Sequence, residues 1–312
     1  MPLAVITSLA RPLLEGRLPA EISPLWFTTP EEMVRHAPDA EIGWFDAFGS
    51  AAMPDAVRSA ANMRWLNTVA AGINHLPLQL MAERGTMLTN GAGLHAGTIA
   101  EYALLGMLTI AKGYRQVVRA QDRHEWLREP PGKGELAETS ALIVGSGAIG
   151  GRIAHLLRAF DVQVTEVRRS SSQGALRPGE WQARLGEFDW VIMAVPSTPE
   201  TRGLIGSAEL RAMKRGAAIL NFARGEVIET DALLAALDSG QLGAAFLDVT
   251  DPEPLPAEHP LWMYDNVHIS MHLSGRSQDT IFQKGAERFL TNCRRFLAGE
   301  PLLHAVDLGA GY

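Results

Sequence analysis

The chain of 312 residues has almost no cysteine: Cys293 stands alone. One thiol closes no internal disulfide and leaves no C-x-x-C pair for a metal or a redox centre. Long apolar runs are missing too, and none approaches the ~18 residues of a membrane span. Basic charge is in the minority, with 28 Lys and Arg against 35 Asp and Glu, a net charge of −7 and a pI near 5.7. That excludes the basic footprint by which nucleic acid is bound. A site for an anionic substrate must therefore gather its own arginines against the global field. Repeats, low-complexity tracts and blocks of like charge are lacking, as is any H-E-x-x-H helix or other metal-ligand spacing of histidines. The opening residues 1–8 carry neither a basic leader nor a long apolar core, and read as a first strand rather than a signal peptide. The expectation is a protein of the reducing cytoplasm, with no metal, membrane or nucleic-acid partner.

What is there has the composition of a globular protein, 46% apolar and 20% charged. The length exceeds what one hydrophobic core covers and predicts two domains. Short apolar runs at residues 3–6, 42–45, 66–69 and 87–89 read as strands of a first α/β unit. A long helical pattern follows from Thr98, which is expected to cap it, with Glu101 at the capping-box spacing. Residues 128–134 (REPPGKG) break the pattern as a loop. A second series has strands at 141–144, 162–167, 190–194, 217–221, 244–247 and 267–269, and an amphipathic helix from Gln278 closes the chain. Strands separated by helices predict a mostly parallel, doubly wound sheet.

The second series opens with Gly145-Ser-Gly147-Ala148-Ile149-Gly150, a G-x-G-x-x-G between strand and helix. Gly145 suits the tight turn, Gly147 lets the backbone approach a diphosphate, and Gly150 permits close helix–strand packing. The diphosphate would rest on the helix N-terminus, where free N–H groups and the dipole favour anions. Choice between NAD and NADP is made at the end of the next strand, roughly twenty residues on. There Glu166 is followed by Arg168, Arg169 and Ser170. Two guanidiniums and a hydroxyl suit a 2′-phosphate, so NADP(H) is expected over NAD(H). Glu166 is the residue that argues the other way, and a solvated basic turn is the plainer reading of the arginines.

Three further segments stand at strand ends: Asn221-Phe-Ala-Arg224-Gly225, Asp248-Val…Glu253-Pro-Leu-Pro…His-Pro-Leu-Trp262, and Asn266-Val…His272-Leu-Ser-Gly275. Singly, Arg224 suits a surface ion pair, Glu253 a turn carboxylate and His272 a satisfied core histidine. In this order, behind a dinucleotide motif, the chain resembles the D-isomer-specific 2-hydroxyacid dehydrogenase family over nearly its whole length. The resemblance implies Arg224, Glu253 and His272 as the catalytic set. The chemistry agrees with those roles. A 2-keto acid offers a carboxylate for Arg224 to clamp, and reduction at C2 needs the proton and positive charge of an imidazolium. A carboxylate beside the ring favours that imidazolium.

By the same resemblance Ala70, Ala71 and Gly72 bind the substrate carboxylate. Thr98, Ala148, Ile149, Val195, Pro196, Phe222 and Ala223 contact the cofactor, as does His272, and Asp248 meets the nicotinamide carboxamide. The resemblance also implies a Rossmann-type domain (residues 98–275) and a smaller, discontinuous, flavodoxin-like α/β substrate domain (1–97 with 276–312). A homodimer through the long helix and the loop after it is expected, with Trp126 near a position that reaches the partner's site in some relatives. The family's usual Thr-Pro before the histidine is Ser270-Met271 here, which puts the loop's rigidity in question. Formate dehydrogenases have glutamine where Glu253 stands, and phosphite dehydrogenases have lysine where Ala71 stands. A non-enzymatic, dinucleotide-sensing corepressor is the alternative from another class. Glyoxylate or hydroxypyruvate is the expected substrate, unless Trp44, Phe45 and Phe48 shape a pocket for a larger keto acid instead of packing a core.

Overall fold

The computed structural model describes residues 1–47, 51–73, 75–169, 174–276 and 280–309. The chain divides into two compact units, Met1–His95 with Ser277–Tyr312, and Ala96–Arg276. In the first unit, β1 (Leu3–Thr7), β2 (Ser23–Phe27), β3 (Ile42–Trp44), β4 (Trp65–Asn67) and β5 (Met87–Thr89) form a parallel sheet. Their order is β2-β1-β3-β4-β5, the flavodoxin-like one. Both faces are covered, so the strands are apolar on both sides. Ala4, Ile6 and Trp44 face one core; Val5, Phe45 and Leu66 face the other. The helix Thr280–Ala298 packs Phe289 against Trp44 and Trp65, with ring centroids 4.9 Å apart in each pair.

One strand goes beyond the expectation here, and one alternative is decided. The strand β2 is not among the expected strands; its sequence Ser-Pro-Leu-Trp-Phe carries Pro24, which has no N–H to give a ladder. An edge strand tolerates this, and β2 lies at the edge. Trp44, the last residue of β3, and Phe45 directly after it are fully buried in opposite cores, Trp44 stacked on Phe282 and Phe45 edge-on to Phe27. They pack the cores rather than shape a substrate pocket. Phe48 lies outside the described residues, as do Ser170 and Gln278.

The second unit holds six parallel strands: β6 (Ser140–Val144), β7 (Gln163–Val167), β8 (Trp190–Met193), β9 (Ala217–Asn221), β10 (Leu242–Leu247) and β11 (Val267–Ile269). Their order is β11-β10-β9-β8-β6-β7. Leu142, Val144 and Ile219 face one core, and Ala141, Ile143 and Leu220 face the other. The direction of winding reverses at β6, which has β7 on one side and β8 on the other. In such sheets that switch point opens a crevice at the C-terminal strand ends, where ligands bind. The helix Ala96–Lys112 starts two residues before the expected cap, which puts Thr98 inside its first turn.

Candidate active site

The loop after β6 is shaped for close approach of a ligand's backbone-binding group. Gly145 has φ +98°, and a Cβ there would lie 2.6 Å from Ala194 O. A Cβ on Gly150 would collide with Gly145 O and stand 3.0 Å from Ile143 Cγ2. At Gly147 the Cβ position has nothing within 4 Å, so the backbone there faces open space. Gly147 is also the N-cap of the helix Ala148–Arg158, with no side chain bonded over the helix end. Its exposed N–H groups and dipole favour a phosphate. The crook sits at the switch point, and its residues fit a dinucleotide diphosphate.

At the end of β7, Glu166 is a partner of Arg168 rather than its rival. Its carboxylate accepts hydrogen bonds from Ser146 Oγ, from Arg158 Nη2 at 2.6 Å and from Arg168 Nη2 at 2.8 Å. The β6–β7 pairing makes this possible, since Gly145 and Ser146 N–H both donate to Val167 O. Burial opposes charging Glu166, but the bonds from Ser146, Arg158 and Arg168 prevail and hold its carboxyl at about 2. Arg168 is half-buried, and among the described residues its Nε is buried without an acceptor. Arg169 stands exposed next to it.

A stability prediction follows from the Glu166 shift. A carboxyl lowered on folding stabilises the fold above its unfolded pKa, and the contribution is lost as pH falls through the folded value. Glu166→Gln is expected to lower Tm at neutral pH. The gap from the unsubstituted protein should narrow as pH drops below the ordinary carboxylate range towards about 2. Thermal melts across that range check it, and a gap independent of pH would sink it.

Arg224, Glu253 and His272 follow the adjacent strands β9, β10 and β11. Buried Asn221 shapes the first turn: its Oδ1 accepts from Ala223 N–H and its Nδ2 donates to Arg224 O, both at 3.0 Å. Half-buried Arg224 donates from Nη1 to Ala223 O at 2.7 Å. A Cβ on Gly225 would collide with the Thr250 carbonyl, so this turn lies directly against the loop that carries Glu253. Glu253 bridges two elements. Its Oε1 accepts from Thr250 N–H at 3.0 Å, and its Oε2 lies 2.8 Å from His272 Nδ1. A carboxylate only accepts, so Nδ1–H donates and Nε2 is left for other work.

The His272 loop is fastened to the end of β10. His272 N–H donates to Asp248 O at 2.6 Å, Ser270 Oγ donates to Asp248 Oδ1 at 2.7 Å, and Ser274 donates to Asp248 through both N–H and Oγ. Met271 and His272 have φ +56° and +54°. A proline at 271 is locked near −65° and cannot take that shape, so methionine there goes with a different turn. Asp248 is buried with both oxygens already engaged. Val195 is half-buried and Pro196 exposed after β8, but Phe222 and Ala223 turn their side chains into the cores, leaving only backbone for a ligand.

Ala70, Ala71 and Gly72 belong to the first unit. Val69 O, Ala70 O and Ala71 O accept from His95 Nε2–H, Gly91 N–H and Asn90 Nδ2, at 2.8, 2.8 and 3.0 Å. Sequence reasoning gave no role to Asn221, Ser146, Ser270 or Ser274. Only Asn221 left a signal, as an Asx residue at a strand end with turn-forming potential. Among the described residues no cluster of His, Cys, Asp or Glu is arranged to hold a metal, and no helix is long and apolar enough to cross a membrane.

Residues 104–274 match the family described as D-isomer specific 2-hydroxyacid dehydrogenase, NAD binding domain. The human glyoxylate reductase/hydroxypyruvate reductase is 32% identical over 260 residues, covering 78% of this chain and 77% of its own. Among solved structures, a D-isomer specific 2-hydroxyacid dehydrogenase family protein from Aeromonas salmonicida superposes with TM-score 0.86 at 27% identity, over 98% of each chain. The NADPH-dependent glyoxylate/hydroxypyruvate reductase from Sinorhizobium meliloti, in complex with NADP and sulfate, gives TM-score 0.82 at 25% identity, over 100% of this chain and 99% of its own.

Proposed function

This chain belongs to the D-isomer-specific 2-hydroxyacid dehydrogenase family, and from that membership we propose that it is an NADP(H)-preferring reductase of a small 2-keto acid, yielding the D-2-hydroxy acid. The observation that carries the reading is the His272 Nδ1–Glu253 Oε2 pair at 2.8 Å, on a loop packed against the Arg224 turn. The crook Gly145–Gly150, with Ala148, Ile149 and Thr98 at helix starts, would hold a nicotinamide dinucleotide, which supplies the hydride. Val195, Pro196 and the backbone of Phe222 and Ala223 would line it, and Asp248 would meet the carboxamide through the lone pairs its bonds to Ser270 and Ser274 leave.

The rest is work for the protein's own groups. Arg224 clamps the substrate carboxylate in its planar fork and fixes the orientation of the keto carbon. In the segment 70–72, the backbone N–H groups of Ala71 and Gly72 are further donors to a substrate carboxylate, since Ala70 N–H is bonded to Thr68 Oγ1. Reduction leaves negative charge on the carbonyl oxygen, which His272 neutralises with the proton on Nε2. Glu253 orients the ring and stabilises its charged form; in the oxidative direction His272 accepts the proton instead.

Glyoxylate and hydroxypyruvate are the substrates we favour, because burial of Trp44 and Phe45 removes the motive for an aromatic pocket. Steady-state oxidation of NADPH and NADH with glyoxylate, hydroxypyruvate, pyruvate and phenylpyruvate tests this. Turnover favouring NADPH and the small acids is expected. Binding of NADPH without reduction of any keto acid would overturn the enzyme reading in favour of a sensor.

The NADP preference rests on Arg168, whose buried Nε suits a 2′-phosphate oxygen, with Arg169 and Ser170 beside it in sequence. Arg168→Ala is expected to reduce the NADPH/NADH ratio of kcat/KM about 10- to 100-fold, roughly 1.4–2.8 kcal/mol. An unchanged ratio would mean that another group reads the ribose. A homodimer is also part of the proposal. Leu105 on the helix Ala96–Lys112, and Tyr114, Val118, Trp126 and Leu127 after it, are exposed apolar side chains in one stretch, which supports an interface there.

A further inference from the structure

Asp46 leaves β3 with its carboxylate at the centre of a converging set of donors. Oδ2 accepts from Trp44 Nε1 at 2.7 Å and from Val69 N–H at 2.9 Å, and Oδ1 accepts from Thr68 Oγ1 at 2.8 Å. The Thr68 hydroxyl passes the connection on, because it also accepts from Ala70 N–H at 3.0 Å. Val69 and Ala70 are thus held by their N–H groups on this network. The carbonyls of Val69, Ala70 and Ala71 are bound back to His95, Gly91 and Asn90. Among the described residues, no acceptor meets the N–H groups of Ala71 and Gly72. A segment whose carbonyls are all tied back while successive N–H groups stay open is a receptor for an anion.

We propose that Asp46 is a positioning residue of the reductase: by fixing Thr68 and Val69 it presents the Ala71 and Gly72 N–H groups to the substrate carboxylate. The inference rests on the reading of residues 70–72 as carboxylate donors, and adds the group that sets their orientation. A carboxylate suits the position better than any other side chain. Three donors converge on it, and an amide of the same size that kept its oxygen on Trp44 and Val69 would turn its NH2 on Thr68 Oγ1 and reverse that bond. Its location is also costly. The residue keeps some accessible surface but lies deep in its unit. Desolvation there pushes its carboxyl above the ordinary range, against the pull of Val69 N–H, Thr68, Trp44 and His95. Packing alone would be served by a neutral residue.

The test compares the full chain with Asp46→Asn and Thr68→Val, the second keeping Asp46 and removing only the hydroxyl link. The readouts are Tm, NADPH affinity, kcat and KM for glyoxylate, and inhibition by oxamate, a carboxylate-bearing mimic of the substrate. Loss of a charge-assisted hydrogen bond predicts roughly a tenfold rise in KM and in the oxamate inhibition constant. NADPH affinity and kcat at saturation should hold. A lower Tm with KM and oxamate inhibition unmoved in both variants would overturn the proposal and leave Asp46 a structural residue. If Asp46→Asn fails to fold, Thr68→Val decides by the same readouts. Absence of keto-acid turnover in the unsubstituted chain would instead overturn the reading beneath it, and the proposal with it.

Discussion

Arg224→Ala is expected to lower kcat/KM for any 2-keto acid about 10³-fold, or ~4 kcal/mol of transition-state stabilisation, with NADPH affinity unchanged. The size follows from two losses at once. The carboxylate loses its bidentate partner, and the keto carbon loses the anchor that orients it. The turn itself should survive. Its shape is held by Asn221, which bonds to Ala223 N–H and Arg224 O, and none of these contacts uses the arginine side chain. Arg224→Lys is expected to recover only a small part of the loss, because an ammonium is a point charge without the fork. Steady-state kinetics and a fluorescence titration of NADPH separate the effects. Weakened NADPH binding with normal keto-acid kinetics would remove Arg224 from the substrate and assign it to the cofactor.

The parts of this protein legible in its sequence are those set by local pattern. The strands of the second unit are near-continuous apolar runs because both faces of a parallel sheet are buried. The spacing of Gly145, Gly147 and Gly150 reports backbone constraints at a single turn, and the positions of Arg224, Glu253 and His272 after successive strands could be read in order. What stayed hidden depends on which strand lies beside which. Glu166 read as a competitor of Arg168 because nothing in the local sequence says that Ser146 and Arg158 also reach it. Ser270 and Ser274 gained meaning only when β11 paired with β10 and brought them onto Asp248. Asp46 meets Thr68 and Val69 across the β3–β4 pairing, a separation no motif encodes. Where local chemistry misled, the cause was tertiary. Thr98 offered a cap that the helix overruns, and β2, an edge strand carrying Pro24, has no strong local strand pattern.

His272→Gln is expected to lower kcat by roughly 10²- to 10⁴-fold, the range that a positioned general acid contributes. Glu253→Gln should cost about 10²-fold, since the ring would lose the negative charge that stabilises its imidazolium, and one amide oxygen cannot serve both Nδ1–H and Thr250 N–H. The two side chains are half exposed and joined by one 2.8 Å contact, so neither substitution should lower Tm much. The sharper expectation concerns the double variant. Groups that act as a unit are not additive, because once His272 is gone Glu253 has nothing to orient. The double variant should therefore be no slower than His272→Gln alone, with NADPH affinity intact in all three. Multiplying effects would mean that Glu253 touches the reaction by a route of its own. Such a route would need Oε1 to leave Thr250 N–H, to which it is tied in this protein. A Glu253 held at both ends can orient a ring but has little left to offer a substrate.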